Sequence, residues 1–298
     1  MNRTAYFDAE APCLCVDWHE DAARIFAGCT SRAVKGFDLI KYKGFEIGSH
    51  EGIVKDVFWL AETNTLCSVS TDKTVRFWDL RQSGHMGEIR LEYKPFCSDL
   101  CENQLAVGLS ESKFTLIDLV EAQKAQGAQL GLYYGDCPLG KEDALRSIKF
   151  LADGSGLAFG SVGGRCNISK LDRTVLPKIS LGNVTQFKAH KVDGRFCSKK
   201  LAMAYPLDSI LTNSRKANGF LGSCGGEGRI VFWDFAAKNK ICEFDKKAPV
   251  TCGKMSWDGR LLAYAVGEDW SRGIEGYMTK SSEVYVRFVQ ENQLFDQR

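Results

Sequence analysis

The sequence is short of net charge. Its 39 lysines and arginines nearly cancel 37 aspartates and glutamates, leaving +2 over 298 residues. That balance gives no strong electrostatic footprint for nucleic acid or an anionic membrane surface, so direct RNA binding is not expected. No apolar run approaches the roughly 20 residues of a membrane-spanning helix. The opening stretch MNRTAYFDAEAPC carries acids where a secretory leader is apolar, so secretion is not expected. The motifs HExxH, G-x-S-x-G and the phosphate-binding P-loop are absent, and the four histidines, at 19, 50, 85 and 190, cluster nowhere. Nothing in the sequence demands an enzyme; a propeller hydrolase would need acids or histidines converging on a channel. Twelve cysteines without a leader point to free thiols in a reducing compartment. Cys13 with Cys15, and Cys97 with Cys101, lack the C-x-x-C spacing and nearby histidines of a zinc site. They read as strand cysteines, and neither metal nor cofactor is expected.

What the chain does have is internal repetition, which decides architecture and is sought before single motifs. AVKGFDL (33–39), TVRFWDL (74–80), FTLIDL (114–119), NISKLD (167–172) and RIVFWDF (229–235) each end an alternating run with an aspartate. Asp38, Asp79 and Asp118 stand 41 and 39 residues apart, near the roughly 40–45 residue period of a four-stranded propeller blade. Asp172 and Asp234 follow at longer intervals, where 120–140 and 191–218 read as loop insertions. Residues 120–126 are expected to make one or two helical turns. A second element precedes the first: CVDWHEDAARIFAG (15–28), DVFWLAETNTLCSV (56–69), SIKFLADGSGLAFG (147–160) and KMSWDGRLLAYAV (254–266). Each is a strand ending in an aromatic (Trp18, Trp59, Phe150, Trp257), a polar turn and a second strand. Short fourth strands follow at KGFEIG (43–48), GEIRLEY (87–93) and KICEF (240–244).

The expected architecture is therefore all-β, a single WD-repeat β-propeller domain over 1–298 built from four-stranded blades. Six blades are recognisable, at 12–48, 50–91, 93–135, 141–187, 188–244 and 246–290. RTAYFD (3–8) is expected to close the ring beside EVYVRFV (283–289), which would hide two sheet edges.

His50, Asp72, Thr74 and Trp78 have the spacing of a hydrogen-bonded network of imidazole, carboxylate, hydroxyl and indole that stiffens a blade from within. His190, Glu227 and Trp233 repeat it loosely. The glycine-rich stretches GSVGGR (160–165) and GSCGGEGR (222–229) lie between strands and do not open a helix, so they read as hairpin turns and not phosphate cradles. FKAHK (187–191) and KKAPV (246–250) both lie in connections leading into a new blade. Lys188, Lys191, Lys246 and Lys247 are thus candidates for a basic patch that grips carboxylates or a phosphorylated side chain on a partner peptide.

With these residues in place the chain resembles a known group within the WD-repeat family. It comprises the nuclear messenger-RNA export factor of the pore and the mitotic spindle-checkpoint protein of the budding-uninhibited-by-benzimidazole series. The resemblance covers about 12–289 and is most specific in LAFGSVGGRCNI, FKAHK, GGEGRIVFWD and LAYAVGEDWSRGIEGY. Asp269, Trp270, Ser271, Arg272 and Gly273 in the last stretch look more like the export factor. The resemblance implies a seven-bladed, non-enzymatic adaptor that holds acidic GLEBS-type segments across one face, with Trp270 and Arg272 added to the four lysines as peptide contacts. The implied partners are nuclear pore proteins or checkpoint kinases and kinetochore scaffolds, met by a monomeric propeller within larger complexes. The implied location is the nucleus and cytoplasm, at the nuclear envelope or kinetochore, with no membrane insertion. Phosphothreonine motifs are read in the checkpoint branch. Lys191 and Lys246 align with basic positions where the family usually has arginine; lysine keeps the charge and loses the bidentate fork. The first unit here looks most like the family's second. The alternative reading is a generic WD-repeat scaffold, such as a ubiquitin-ligase substrate receptor.

Overall fold

The computed structural model describes residues 7–124, 131–139, 143–172, 180–196, 199–204, 207–212, 220–234, 239–256, 259–268 and 282–289. Strands β1 (Cys13–Trp18), β2 (Arg24–Cys29), β3 (Ala33–Asp38) and β4 (Lys43–Ser49) form the first sheet. The second is β5 (Val54–Leu60), β6 (Thr65–Ser70), β7 (Thr74–Trp78) and β8 (His85–Arg90). The third is β9 (Pro95–Cys101), β10 (Gln104–Leu109), β11 (Lys113–Asp118) and β12 (Leu132–Asp136), with the short helix α1 (Leu119–Lys124) before its last strand. The fourth is β13 (Leu145–Phe150), β14 (Gly156–Ser161), β15 (Arg165–Asp172) and β16 (Ser180–Lys188). A separate hairpin, β17 (Lys191–Phe196) and β18 (Lys199–Ala204), precedes the fifth sheet, β19 (Leu207–Thr212), β20 (Phe220–Gly225), β21 (Arg229–Asp234) and β22 (Asn239–Asp245). The sixth holds β23 (Val250–Met255), β24 (Leu261–Val266) and β25 (Glu283–Phe288). Strands pair antiparallel in chain order throughout, the meander of a propeller blade.

These six sheets coincide with the six repeats. The insertions are more structured than expected. The stretch 191–218 contains a hairpin and β19, the first strand of sheet five, and 120–140 contains β12. β19 escaped the pattern because it ends in Leu-Thr, without the aromatic found at or beside the end of β1, β5 and β13. The helical turn at α1 falls where expected. Of the closing segment RTAYFD, residues 3–6 lie outside those described, as does Trp257. Phe7 stacks on Phe37 at 5.0 Å, and Lys35 Nζ donates to Ala9 O at 2.7 Å, so 7–10 lie against sheet one.

The local chemistry explains the repeat. The recurring aspartate ends strand three because its carboxylate captures the N–H groups of the next turn. Asp38 Oδ1 accepts from Ile40 and Lys41, Asp79 Oδ1 from Arg81, and Asp118 Oδ1 from Val120 and Glu121. Arg81's guanidinium and N–H hold the Asp79 carboxyl down at about 2. Between strands two and three of sheets one to five the chain turns through a left-handed residue, at Arg32, Lys73, Ser112, Gly164 and Gly228. The two glycine-rich stretches supply the last two of these turns, as hairpins do.

The chain divides into two compact units, Met1–Glu111 with Thr115–Tyr133, and Ser112–Phe114 with Tyr134–Arg298. In the first, Phe26, Val34, Val54, Val57, Trp59, Leu66 and Trp78 form a core between sheets one and two. In the second, Cys224, Ile230, Phe232, Val250, Leu262 and Tyr264 pack between sheets five and six. Strands β6 and β14 are buried at every residue because other sheets or connections cover both faces. That close stacking requires small residues. A Cβ on Gly48 of β4 would lie 2.2 Å from the buried Trp78 ring. Gly48→Ala is expected to lower stability by about 1–3 kcal/mol in denaturant unfolding, the range for overpacking a tight core; an unchanged midpoint would show that the ring yields freely.

Candidate functional site

In sheets one to five the chain leaves the last strand through a residue whose N–H returns to the left-handed turn of the same sheet. His50 donates to Arg32 O at 3.0 Å, Leu91 to Lys73 O at 2.8 Å, Cys137 to Ser112 O at 2.7 Å, and Lys246 to Gly228 O at 2.8 Å. Ala189 and His190 both donate to Gly164 O, at 2.8 and 3.0 Å. The side chains at these exits decide how the next sheet is held.

His50 reaches forward into sheet two. Its Nδ1 lies 3.0 Å from Asp72 Oδ2 and its Nε2 2.7 Å from Ser68 Oγ, while Trp78 Nε1 donates to the same Oγ at 2.7 Å. The direction of this chain is fixed. The ionised Asp72 carboxylate can only accept, so Nδ1–H donates to it; Nε2 of the neutral ring then accepts from the Ser68 hydroxyl, whose oxygen accepts the indole N–H. Thr74 caps the other carboxylate oxygen, its hydroxyl donating at 2.7 Å and its N–H at 2.9 Å. The four residues read from spacing are thus in contact, but the hydroxyl joining imidazole to indole is Ser68, not Thr74. Sheet five has the same wiring: His190 Nδ1 to Glu227, Nε2 to Ser223 Oγ at 2.9 Å, and Trp233 Nε1 to Ser223 Oγ at 2.9 Å. Ser68 and Ser223 occupy the matching position on strand two of their sheets, a serine five residues before the αL turn residue; that alignment was the available signal. A Cβ on Gly225 would collide with His190 and Glu227 at 2.2 Å, so glycine there makes room for the pair.

Ser68–His50–Asp72 and Ser223–His190–Glu227 have the connectivity of a hydrolytic triad. Both serines are 0% exposed and each hydroxyl already accepts an indole N–H. No substrate carbonyl can reach them, and the arrangement serves packing. Among the described residues no group of three or more His, Cys, Asp or Glu could hold a metal ion.

Burial pushes the His50 imidazole below its ordinary 6.5, with Arg76 adding to the effect and Asp72 opposing it. Burial alone would raise Asp72, but the Thr74 hydroxyl, the imidazole and the Glu51 N–H outweigh it and hold the carboxyl below 3.8.

The basic candidates lie at the exit end of sheets four and five, in the second unit. Lys188 ends β16 and is exposed; Lys247 follows β22, exposed, in a left-handed conformation (φ 58°). Lys246 occupies the exit position itself. Its Nζ lies 4.8 Å from the centroid of Tyr264 and 5.9 Å from that of Tyr285, two rings of sheet six stacked on one another. Lys246 therefore joins two sheets as His50 and His190 do, by its N–H behind and its cation–π contact ahead. Lys191 opens β17, and its side chain lies outside the described set, as do Trp270 and Arg272 entirely.

Fold and repeat together define a WD-repeat β-propeller protein. Residues 43–79 match the "WD domain, G-beta repeat" family model. The chain is similar to the Poly(A)+ RNA export protein of Schizosaccharomyces pombe, 26% identical over 273 residues that take in 90% of this chain and 72% of that one. It is also similar to mRNA export factor rae-1 of Caenorhabditis elegans, 28% identical over 292 residues, 93% of this chain and 72% of the other. A chain from the "Crystal Structure of Mitotic Checkpoint Complex" shares the fold, with a TM-score of 0.63 at 15% identity over 86% of this chain and 70% of that chain.

Two outcomes follow from the network. Ser68→Ala strands the Trp78 N–H and the His50 Nε2 without partners and is expected to cost about 2–3 kcal/mol; a loss below about 0.5 kcal/mol would contradict the wiring. Because folded His50 takes up a proton less readily than the unfolded chain, stability is full above 6.5 and declines as pH falls through it. Asp72 adds a second decline below 3.8. His50→Gln should flatten the first decline in an unfolding-midpoint series across pH 7 to 5, and an unchanged slope would place the titration elsewhere.

Proposed function

We propose that this protein is a non-enzymatic adaptor that captures acidic, GLEBS-type linear segments, acting in messenger-RNA export at the nuclear pore, in spindle-checkpoint signalling at kinetochores, or in both. The observation that carries the reading is the similarity to mRNA export proteins across nine-tenths of the chain. The rigid inner network supports it. His50, Ser68, Asp72 and Trp78 are spent on holding sheet two, and both network serines are buried, which leaves function to the surface.

The exit end of sheets four and five is the proposed contact surface. Lys188 and Lys247 are exposed there, and Lys191, Trp270 and Arg272 join them in this proposal. Lys246 has a different part: its ammonium is shared with Tyr264 and Tyr285, so it positions the surface and offers charge only at its rim. Lysines without a bidentate fork give affinity that depends on many weak contacts and falls with salt. The partners proposed are pore proteins or checkpoint kinases in the nucleus and cytoplasm, with one propeller acting inside a larger complex.

An acidic GLEBS-type peptide, followed by fluorescence anisotropy at low salt, is expected to bind the wild-type chain. Lys188→Glu with Lys247→Glu is expected to weaken it about tenfold or more, equivalent to about 1.4 kcal/mol. No binding at low salt would favour a generic scaffold. Steeply salt-dependent RNA binding that vanishes in the same double variant would instead favour an RNA contact.

A further inference from the structure

Sheet one carries a pair of thiols that none of the roles above uses. Cys13 on β1 and Cys29 on β2 are directly opposed in the antiparallel register, and their sulfurs lie 3.8 Å apart. The neighbouring pair identifies the kind of site. Thr30 N–H donates to Pro12 O at 2.9 Å, and Pro12 has no N–H to return. Pro12 and Thr30 are thus the hydrogen-bonded pair, which makes Cys13 and Cys29 a non-hydrogen-bonded pair, where opposed Cα atoms approach to about 4.5 Å. That separation falls inside the window of about 4.4–6.8 Å that a disulfide spans. β1 is also the edge of its sheet, paired on one side only.

We infer that Cys13 and Cys29 form a reversible redox site, closing to a cross-strand disulfide by exchange with a low-molecular-weight disulfide such as oxidised glutathione. The two thiols have unequal parts. Cys13 is exposed and Cys29 is fully buried. Burial first, and then the adjoining Cys13 thiol, push Cys29 up to about 11, with Lys35 opposing, so Cys29 stays protonated at neutral pH and does not attack first. The Cys13 thiolate attacks one sulfur of the glutathione disulfide, forming a mixed disulfide and releasing one glutathione thiolate. Cys29 then gives its proton to that thiolate or to water and attacks the Cys13 sulfur, expelling the second. Two protein thiols are oxidised, one small disulfide is reduced to two thiols, and protons balance. Cys15 does not compete. It lies on the other side of the strand, near Gly28 and Val54, where burial and Asp56 raise its thiol well above the usual range.

Peptide mapping by mass spectrometry of the full chain, after equilibration with oxidised glutathione and without reduction, tests the inference. The wild-type chain is expected to yield a linked peptide pair joining Cys13 to Cys29, reopened by reduced glutathione. Cys29→Ala is expected to retain glutathione on Cys13, and Cys13→Ser to leave Cys29 unmodified. Stable glutathione on Cys13 of the wild-type chain, a bridge from Cys13 to any other cysteine, or no modification of Cys13 would each overturn it.

Discussion

In sheets one to five, the residue leaving the last strand must satisfy its own backbone and hold the next sheet at the same time. Everything else in the fold is arranged around that constraint. A four-stranded antiparallel sheet has no hydrogen bonds left to offer a neighbour stacked face to face, so stacked sheets are joined by side chains and packing alone. At His50 and His190 the joint is an imidazole that runs a buried donor chain from an indole to a carboxylate. At Lys246 it is an ammonium over two tyrosines. At Leu91 and Cys137 the exit side chain is apolar and buried. The backbone bond is constant, and the chemistry of the forward contact varies.

That variation separates structure from function. Where the forward contact is buried and fully bonded, as at His50, the residue is unavailable to a partner. Where it is a cation over two rings, as at Lys246, the same position is part-exposed and is followed by the exposed Lys247. A binding surface can therefore arise at the end of a blade without any change in how the blades are held. The carboxylates along sheets one to three add further ties: Asp17 accepts from the Trp59 N–H, Glu20 from its indole, and Asp56 from Ser98.

Much of this could be read from residues alone, and the exceptions have physical causes. The terminal aspartates were visible because an Asx turn needs that side chain at that place. The network's histidine, acid and tryptophan were visible because each is chemically distinctive. Ser68 and Ser223 were not, since serine on a buried strand looks like any small residue needed for close stacking. β19 was hidden for a related reason: with no aromatic at its end, its Leu-Asp-Ser-Ile-Leu-Thr sequence carries little that marks a first strand. Lys246 was legible as basic but not as half-committed, because stacked tyrosines 18 and 39 residues downstream meet it only after folding.

The most direct test of the joint is the protonation state of His50, read by long-range proton–nitrogen NMR correlation on the nitrogen-15-labelled chain. The donor chain predicts a neutral ring at pH 7, with the proton on Nδ1 and Nε2 accepting, and a titration midpoint below 6.5. A ring protonated on Nε2, or an imidazolium at pH 7, would mean that the chain from Trp78 through Ser68 does not run as described.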